Sequence, residues 1–188
     1  MLTIISFVFF ITVFLLSALW ILVPAIYGLP SIPTKHKRIR KALKLVNLQP
    51  DEILFDLGAG DGRVLLIAVR EFGAKAVGIE IGPVQCVLIW LRLVASRFSD
   101  RAKIQLGNYY HADLKNADVV FVYATSKEVV KLASQLKRQL KHGARVVSIS
   151  ADFPEWEPTA FDERELIFVY HMPPREGNLT TYLLRNAK

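Results

Sequence analysis

The chain has 188 residues, enough for one domain and little more, and 52% of them are hydrophobic. This apolar content excludes a disordered chain, and a single cysteine excludes a disulfide scaffold and a zinc site built on thiolates. The 24 Lys and Arg and the 17 Asp and Glu give a net charge of +7, yet none of them precedes Lys35. The sequence therefore divides into an uncharged leader and a remainder that carries every ionic side chain.

The uncharged leader predicts a membrane-spanning helix. Residues 2–23 are apolar apart from Ser and Thr, and a helix of that length is about 33 Å long, close to the hydrocarbon core of about 30 Å. The alternative, a cleaved signal peptide, requires a basic start and a shorter apolar run. We therefore expect a retained anchor over residues 1–27, a linker and basic helix over 28–47, and a globular domain over 48–188.

A basic cluster follows the leader and sets its expected orientation. Because basic residues favour the cytoplasmic side, the cluster predicts a single-pass membrane protein with its N-terminus outside, its large domain in the cytoplasm and the lipid bilayer as a partner. The cluster also suits a solvated helix face or contact with anionic headgroups. No aromatic residues are interleaved with the charges, so no nucleic-acid partner is expected. The cluster consists of Lys35, Lys37, Arg38, Arg40 and Lys41.

The globular part alternates short apolar runs with amphipathic segments. This alternation predicts an α/β, Rossmann-like, mostly parallel sheet with helices on both faces. Two final strands without an intervening helix predict a C-terminal antiparallel hairpin, and the leader adds one N-terminal transmembrane helix to this fold class. The predicted strands cover residues 53–57, 76–81, 103–106, 118–123, 144–149, 166–171 and 180–185, and the main helices cover 63–72, 83–98 and 125–140.

A glycine-rich loop lies between the first strand and the first helix. In Gly58-Ala59-Gly60-Asp61-Gly62 the third glycine comes one residue earlier than in the dinucleotide fingerprint. Asp56 and Asp61 flank the glycines, and two carboxylates would repel a pyrophosphate, which disfavours a nicotinamide oxidoreductase. Carboxylates suit a ligand that carries ammonium and sulfonium charges, and S-adenosylmethionine carries both.

Polar residues also follow the next two strands. Glu80 ends the second strand, where a carboxylate accepts hydrogen bonds from both hydroxyls of a ribose. Gly107-Asn108 follows the third strand, where an amide would read the adenine ring. The loop, the strand-end acid and this amide occur in the order that a cofactor-binding edge of the sheet requires.

The loop and its surroundings resemble a known family. Residues 56–63, Asp-Leu-Gly-Ala-Gly-Asp-Gly-Arg, resemble motif I of the class I S-adenosylmethionine-dependent methyltransferases. With Pro33-Thr34, residues 78–80 and the Phe-Pro-Glu-Trp-Glu-Pro run at 153–158, the chain resembles the membrane-anchored protein-lysine methyltransferases that modify the c-type ring protein of ATP synthase and the adenine nucleotide translocase. It departs from their pattern at Asn108, where an acid is usual, and at Gly82, where an Asn is usual.

The resemblance implies a methyltransferase domain over residues 48–188 that uses S-adenosylmethionine and methylates a lysine of a membrane protein near the bilayer surface. A methyltransferase for a lipid or quinone-like molecule and a non-catalytic cofactor-fold module are the alternatives. The expected cofactor-binding residues are Thr34, Asp56, Gly58, Ala59, Gly60, Asp61, Gly62, Glu80, Ile81, Asn108 and Tyr109.

The acceptor side is expected at the ends of the fourth and fifth strands. A lysine acceptor must lose its proton, and desolvation in an aromatic pocket lowers its pKa without a dedicated base. Aromatic rings also attract an alkylammonium group, although each ring has ordinary core packing as its alternative role. The candidate catalytic residues are Tyr123, Asp152 and Trp156, and the scattered histidines predict no metal site.

Overall fold

The computed structural model describes residues 2–27 and 34–186, with side chains described over 3–18 and 34–186. The helices are α1 Leu2–Tyr27, α2 His36–Leu45, α3 Arg63–Phe72, α4 Pro83–Ala95, α5 Ser126–Gln139 and α6 Leu179–Asn186. The strands are β1 Ile53–Leu57, β2 Lys75–Glu80, β3 Ala102–Leu106, β4 Val119–Tyr123, β5 Arg145–Ile149, β6 Trp156–Glu157, β7 Ala160–Asp162, β8 Ile167–His171 and β9 Arg175–Glu176.

Seven of these strands form one sheet in the order β3-β2-β1-β4-β5-β8-β7. The pairs among β1 to β5 are parallel, and β8 lies antiparallel between β5 and β7. The strand order reverses between β1 and β4, which opens a crevice at the carboxyl ends of the strands where ligands bind in such sheets. The predicted α/β, mostly parallel sheet is confirmed.

Two hydrophobic clusters, one on each face, hold the sheet between its helices. On one face α2 and α3 bury Ile39, Leu43 and Leu65 completely. On the other face α5 buries Leu132 and Leu136. The basic helix α2 therefore packs into the core through its apolar side, while its charged side faces outward, which is the amphipathic arrangement that its sequence indicates.

The capping box predicted at Thr125 and Glu128 opens α5. The backbone N–H and the hydroxyl of Thr125 each donate to a Glu128 carboxylate oxygen at 2.8 Å. This pairing satisfies a backbone donor that a helix start otherwise leaves without a partner. It also holds Glu128 close to the carboxyl end of β4.

The C-terminal segment differs from the prediction. Residues 179–186, expected to contain a strand, form α6, and the antiparallel hairpin consists of β7 and β8 instead. The side-chain oxygen of Asn178 accepts hydrogen bonds from the N–H of Thr181 at 3.0 Å and from its hydroxyl at 3.1 Å. This cap starts a helix where the β-branched Thr180 and Thr181 alone favoured a strand.

The predicted membrane span requires a correction as well. A crossing helix needs about 20 consecutive apolar residues. Across residues 3–18 and 34–186, no helix is both long enough and apolar enough to cross a membrane. The prediction of a transmembrane helix, and with it a single-pass membrane protein with a cytoplasmic catalytic domain and the bilayer as partner, is therefore wrong on this finding.

Gly78 is the closest point of contact between β2 and the glycine loop. A Cβ at this position would lie 2.8 Å from the Ala59 Cβ, 2.8 Å from Leu65 Cδ1 and 2.9 Å from Ile104 Cδ1. Contacts this short require the loop, α3 or β3 to move. Only a glycine therefore allows β2, the loop and α3 to pack this closely.

We predict that Gly78→Ala lowers the free energy of unfolding by about 1–3 kcal/mol, because the added methyl group overpacks this junction. Urea unfolding followed by circular dichroism measures the change. Gly107→Ala is the matched control, since a Cβ there meets nothing within 4 Å and is expected to be nearly neutral. Equal unfolding midpoints for Gly78→Ala and the wild type would contradict this account of the junction.

Candidate active site

A cavity of about 410 Å³ opens at the carboxyl edge of the sheet, between the glycine loop and the ends of β2, β4 and β5. Most of the residues predicted from the sequence line it, so the structure brings together side chains that lie up to 89 positions apart along the chain, from 34 to 123. The lining residues that were predicted are Thr34, Asp56, Gly58, Ala59, Gly60, Asp61, Glu80, Ile81, Asn108, Tyr109 and Tyr123.

The glycine loop adopts a conformation that glycines favour. Gly58 and Gly60 have φ values of +98° and +59°, in the region that side chains rarely adopt. The N–H groups of Gly58 and Ala59 both donate to the carbonyl of Ile79 at 2.9 Å, which ties the loop to β2. Gly62, predicted to bind the cofactor, is not among the cavity-lining residues; it starts α3 at φ +78° with no room for a side chain beside Ile89.

Glu80 links the loop to the end of β2. Its two carboxylate oxygens accept hydrogen bonds from the backbone N–H of Gly60 at 2.8 Å and of Gly82 at 2.9 Å. A carboxylate has about four lone-pair positions, so roughly two remain for the ribose hydroxyls expected from the sequence. The carboxylate is nearly buried, which strengthens the bonds that it accepts.

Gly82 makes room for the amide of Gln85. A Cβ on Gly82 would lie 2.0 Å from Gln85 Oε1, so the two positions cannot both carry side chains in this arrangement. Gln85 is buried, lines the cavity, and its Oε1 has no hydrogen-bond partner among the described residues. The departure from the family pattern at position 82 therefore coincides with an amide supplied three residues later, which the sequence pattern did not indicate.

Asp56 is the most deeply buried acid of the cavity. Its side chain is 3% exposed, and no described residue donates a hydrogen bond to Oδ2. Burial raises the pKa of this carboxyl well above its usual range, and the nearby carboxylates of Glu80 and Asp61 raise it further. A buried acceptor without a partner is costly, and a ligand cation or N–H donor would remove that cost. The residue set therefore fits a ligand that carries an ammonium group.

Asp61 has partners of its own. Its carboxylate accepts from Arg63 at 2.6–3.0 Å and lies 3.5 Å from Arg92, and the hydrogen bond from Arg63 lowers its pKa. Arg63 also donates to the carbonyl of Thr34 at 2.8 Å. Asp61 thus holds Thr34 at the rim of the cavity through Arg63, and of the two acids predicted to attract a cation, only Asp56 has an oxygen without a partner among the described residues.

Tyr123, Ser150 and Tyr109 form the wall on the far side of the cavity. The hydroxyl of Tyr109 donates to Glu128 at 2.9 Å, and burial, followed by its contacts with Tyr110 and Glu128, raises its pKa. Tyr109 is therefore protonated at neutral pH and serves as a fixed donor. Asn108 uses its side-chain oxygen to cap the short turn that carries Tyr109 and Tyr110.

Two predicted catalytic residues do not reach the cavity. Trp156 is 1% exposed in the core, stacked on Phe153 at a centroid distance of 4.3 Å and meeting Tyr170 edge-on. Asp152 is half-buried outside the lining. Ser150 and Ala151 line the end of β5 instead, and no sequence signal pointed to them because they occur in a segment without a recognisable motif.

The sheet order, the glycine loop and the strand-end acid define the fold of the class I S-adenosylmethionine-dependent methyltransferases. A family profile, the ANTKMT methyltransferase domain, matches residues 56–160. The chain belongs to this family, which confirms the resemblance to methyltransferases seen in the sequence.

Relatives with assigned activities cover most of the chain. The protein-lysine N-methyltransferase of Saccharolobus islandicus (strain REY15A) is 33% identical over 82% of this chain and 91% of its own length. The Mus musculus lysine N-methyltransferase named for the C component of ATP synthase is 25% identical over 79% of this chain, and the adenine nucleotide translocase lysine N-methyltransferase of the same species is 29% identical over 73%. The chain spans about 60% of the length of each mouse enzyme.

A solved structure shows the same fold. The RNA methyltransferase from Salinibacter ruber, in complex with S-adenosyl-L-homocysteine, superposes with a TM-score of 0.73 at 30% sequence identity. The similarity covers 78% of this chain and 97% of that one.

We predict that Asp56→Asn stabilises the free protein at pH 7 by roughly 1–3 kcal/mol, the usual cost of a buried polar group without a partner. The pKa of Asp56 is raised by folding, so stability is fully present below the unfolded pKa of about 3.9 and is lost as the pH rises toward the folded value. Urea midpoints from pH 3 to pH 8 should therefore converge in acid and separate above it. Asp100→Asn, at an exposed position, controls for the change in net charge, and curves that stay parallel would contradict the assignment.

Proposed function

We propose that this protein is an S-adenosylmethionine-dependent protein-lysine N-methyltransferase. The similarity to the Saccharolobus protein-lysine N-methyltransferase, which extends over most of both chains, is the observation that carries the proposal. Family membership supports methyl transfer, and the complex of the Salinibacter enzyme with S-adenosyl-L-homocysteine supports the cofactor that the sequence predicted.

The cavity residues fit this cofactor. We assign Asp56 to its ammonium group, Glu80 to its ribose hydroxyls, and the backbone of Gly58 and Gly60 to close approach. Asn108 and Gln85 offer amides for the polar atoms of the adenine ring. When bound, S-adenosylmethionine supplies a methyl group that its sulfonium already activates, so the protein contributes mainly alignment.

The far wall suits a neutral amine. A lysine has a reference pKa of about 10.4, so deprotonating it near pH 7 costs about 4–5 kcal/mol. Tyr123 and Tyr109 offer a half-buried aromatic surface that accommodates the alkyl chain and lowers the pKa of the amine by desolvation. Tyr109 cannot act as a strong base, since its hydroxyl is protonated and donates to Glu128.

The names of the mouse relatives support a finer proposal about the acceptor. They refer to the C component of ATP synthase and to the adenine nucleotide translocase, both membrane proteins. We propose that the acceptor lysine of this enzyme also belongs to a membrane protein.

An RNA acceptor is the second candidate. The Salinibacter structure is described as an RNA methyltransferase, and the net charge of +7 favours association with a polyanion. A lipid or quinone-like acceptor is the third. The three differ in where a transferred methyl group is recovered.

We predict that Glu80→Gln weakens S-adenosylmethionine binding by about ten- to a hundredfold, because a hydrogen bond to a charged group is worth about 1.5–3 kcal/mol. The amide also turns a donor toward the N–H of Gly60 or Gly82, which loosens the loop. Isothermal titration calorimetry measures the affinity. Glu71→Gln, which removes an exposed partner of Arg40, is the control expected to bind as the wild type does. If both variants bind alike, Glu80 does not hold the cofactor.

We expect methyl groups from tritiated S-adenosylmethionine to enter protein when the enzyme is incubated with native membranes and extracts. The label is then sought in acid-hydrolysed protein as methyllysine, in purified RNA, and in the organic phase. Gly60→Val should abolish labelling in every fraction, since a β-branched residue is strained at φ +59°, whereas Gly107→Ala should not. Label confined to RNA or to the organic phase would reject the lysine proposal.

A further inference from the structure

Arg38, on helix α2, reaches into the far wall of the cavity. Its Nη2 donates to the hydroxyl oxygen of Ser150 at 2.9 Å, and its Nε donates to the carbonyl oxygen of Glu165 at 2.9 Å. Its Nε also lies 3.7 Å from the Glu165 carboxylate, which balances its charge. A planar guanidinium makes several bonds in fixed directions, so this side chain is held in one orientation.

The turn that Arg38 contacts has an unfavourable backbone conformation. Ser150 has a φ of +70° and Leu166 a φ of +48°, both in the left-handed region that residues with side chains rarely adopt. The N–H of Ser150 donates to the carbonyl oxygen of Leu166 at 2.9 Å, which couples the two positions. Such conformations persist only where surrounding contacts enforce them, and they are frequent at functional sites.

The same guanidinium also lies over Tyr123. The Arg38 Cζ is 5.8 Å from the centre of the Tyr123 ring, within the range of a cation–π contact. Ser150 and Tyr123 both line the cavity, whereas Arg38 is not among the lining residues. Arg38 therefore contacts two wall residues from behind without taking part in the lining itself.

We propose that Arg38 is a positioning residue for the methyl acceptor. It holds the Ser150 turn and the Tyr123 ring in one arrangement, so that the acceptor side of the cavity is formed before the substrate arrives. This inference rests on the proposed function to the extent that the cavity is where methyl transfer takes place. A preformed wall aligns the acceptor nitrogen, and small displacements of such a wall reduce the rate without affecting a cofactor held elsewhere.

The test compares Arg38→Ala, Arg38→Lys, Ser150→Ala and the double variant Arg38→Ala/Ser150→Ala. For Arg38→Ala we expect kcat to fall on the order of tenfold, by loss of alignment, while the Kd for S-adenosylmethionine stays within about twofold. Lysine should not rescue the rate, since it lacks the planar fork. The double variant should be no slower than Arg38→Ala alone, because both changes remove one shared interaction.

Arg40→Ala is the matched control, because Arg40 lies on the same helix but pairs with Glu71 at the surface. An equal rate loss in this control, a parallel loss of cofactor affinity in Arg38→Ala, or losses that multiply in the double variant would each overturn the proposal.

A second readout does not depend on the acceptor. In protein labelled with ¹³C-tyrosine, the ring signals of Tyr123, assigned with Tyr123→Phe, should shift in Arg38→Ala and in Ser150→Ala but not in Arg40→Ala. Unchanged Tyr123 signals would overturn the proposal even if the wild type labels no protein, an outcome that would reject the proposed function separately.

Discussion

The two hydrogen bonds that Glu80 accepts from the glycine loop and from Gly82 fix the geometry on which the whole cavity depends. One carboxylate at the end of β2 orients two backbone segments at once. Because Gly78 lets β2 approach Ala59 and Leu65 without an intervening side chain, the loop lies directly against the strand that carries this carboxylate. The cofactor side of the cavity is thus built mainly from two short stretches of backbone and the acid that joins them.

The cavity keeps charged groups at some cost to folding. Asp56 is buried with an oxygen that no described residue contacts, and its raised pKa reflects that cost. Asp61 differs because Arg63 and Arg92 balance its charge, and the same Arg63 anchors Thr34 at the rim. The structure therefore separates two acids that look equivalent in the motif: one is available to a ligand and the other serves the architecture.

The acceptor side is assembled differently, from elements that are distant in sequence. Arg38 comes from the helix that precedes the sheet, Tyr123 from the end of β4 and Ser150 from the turn after β5. Long-range contacts of this kind let substrate preference vary while the cofactor loop stays the same. This division matches the comparisons, in which enzymes described as acting on protein lysines and on RNA share one fold with this chain.

The sequence alone determined the features that depend on local chemistry. Glycines where φ is positive, a carboxylate at a strand end and a capping box at Thr125 and Glu128 act over a few residues, so their spacing predicts both the sheet and the cofactor side of the cavity. The predictions were wrong where packing and capping decide: the Trp156 ring lies in the second hydrophobic cluster, and the Asn178 cap turned an expected strand into α6. The predicted membrane span also failed, since no described helix met its requirements. Only the tertiary structure brought Arg38 behind Tyr123 and Ser150, because those contacts join residues more than 80 positions apart and no local pattern encodes which side chains meet at a shared cavity.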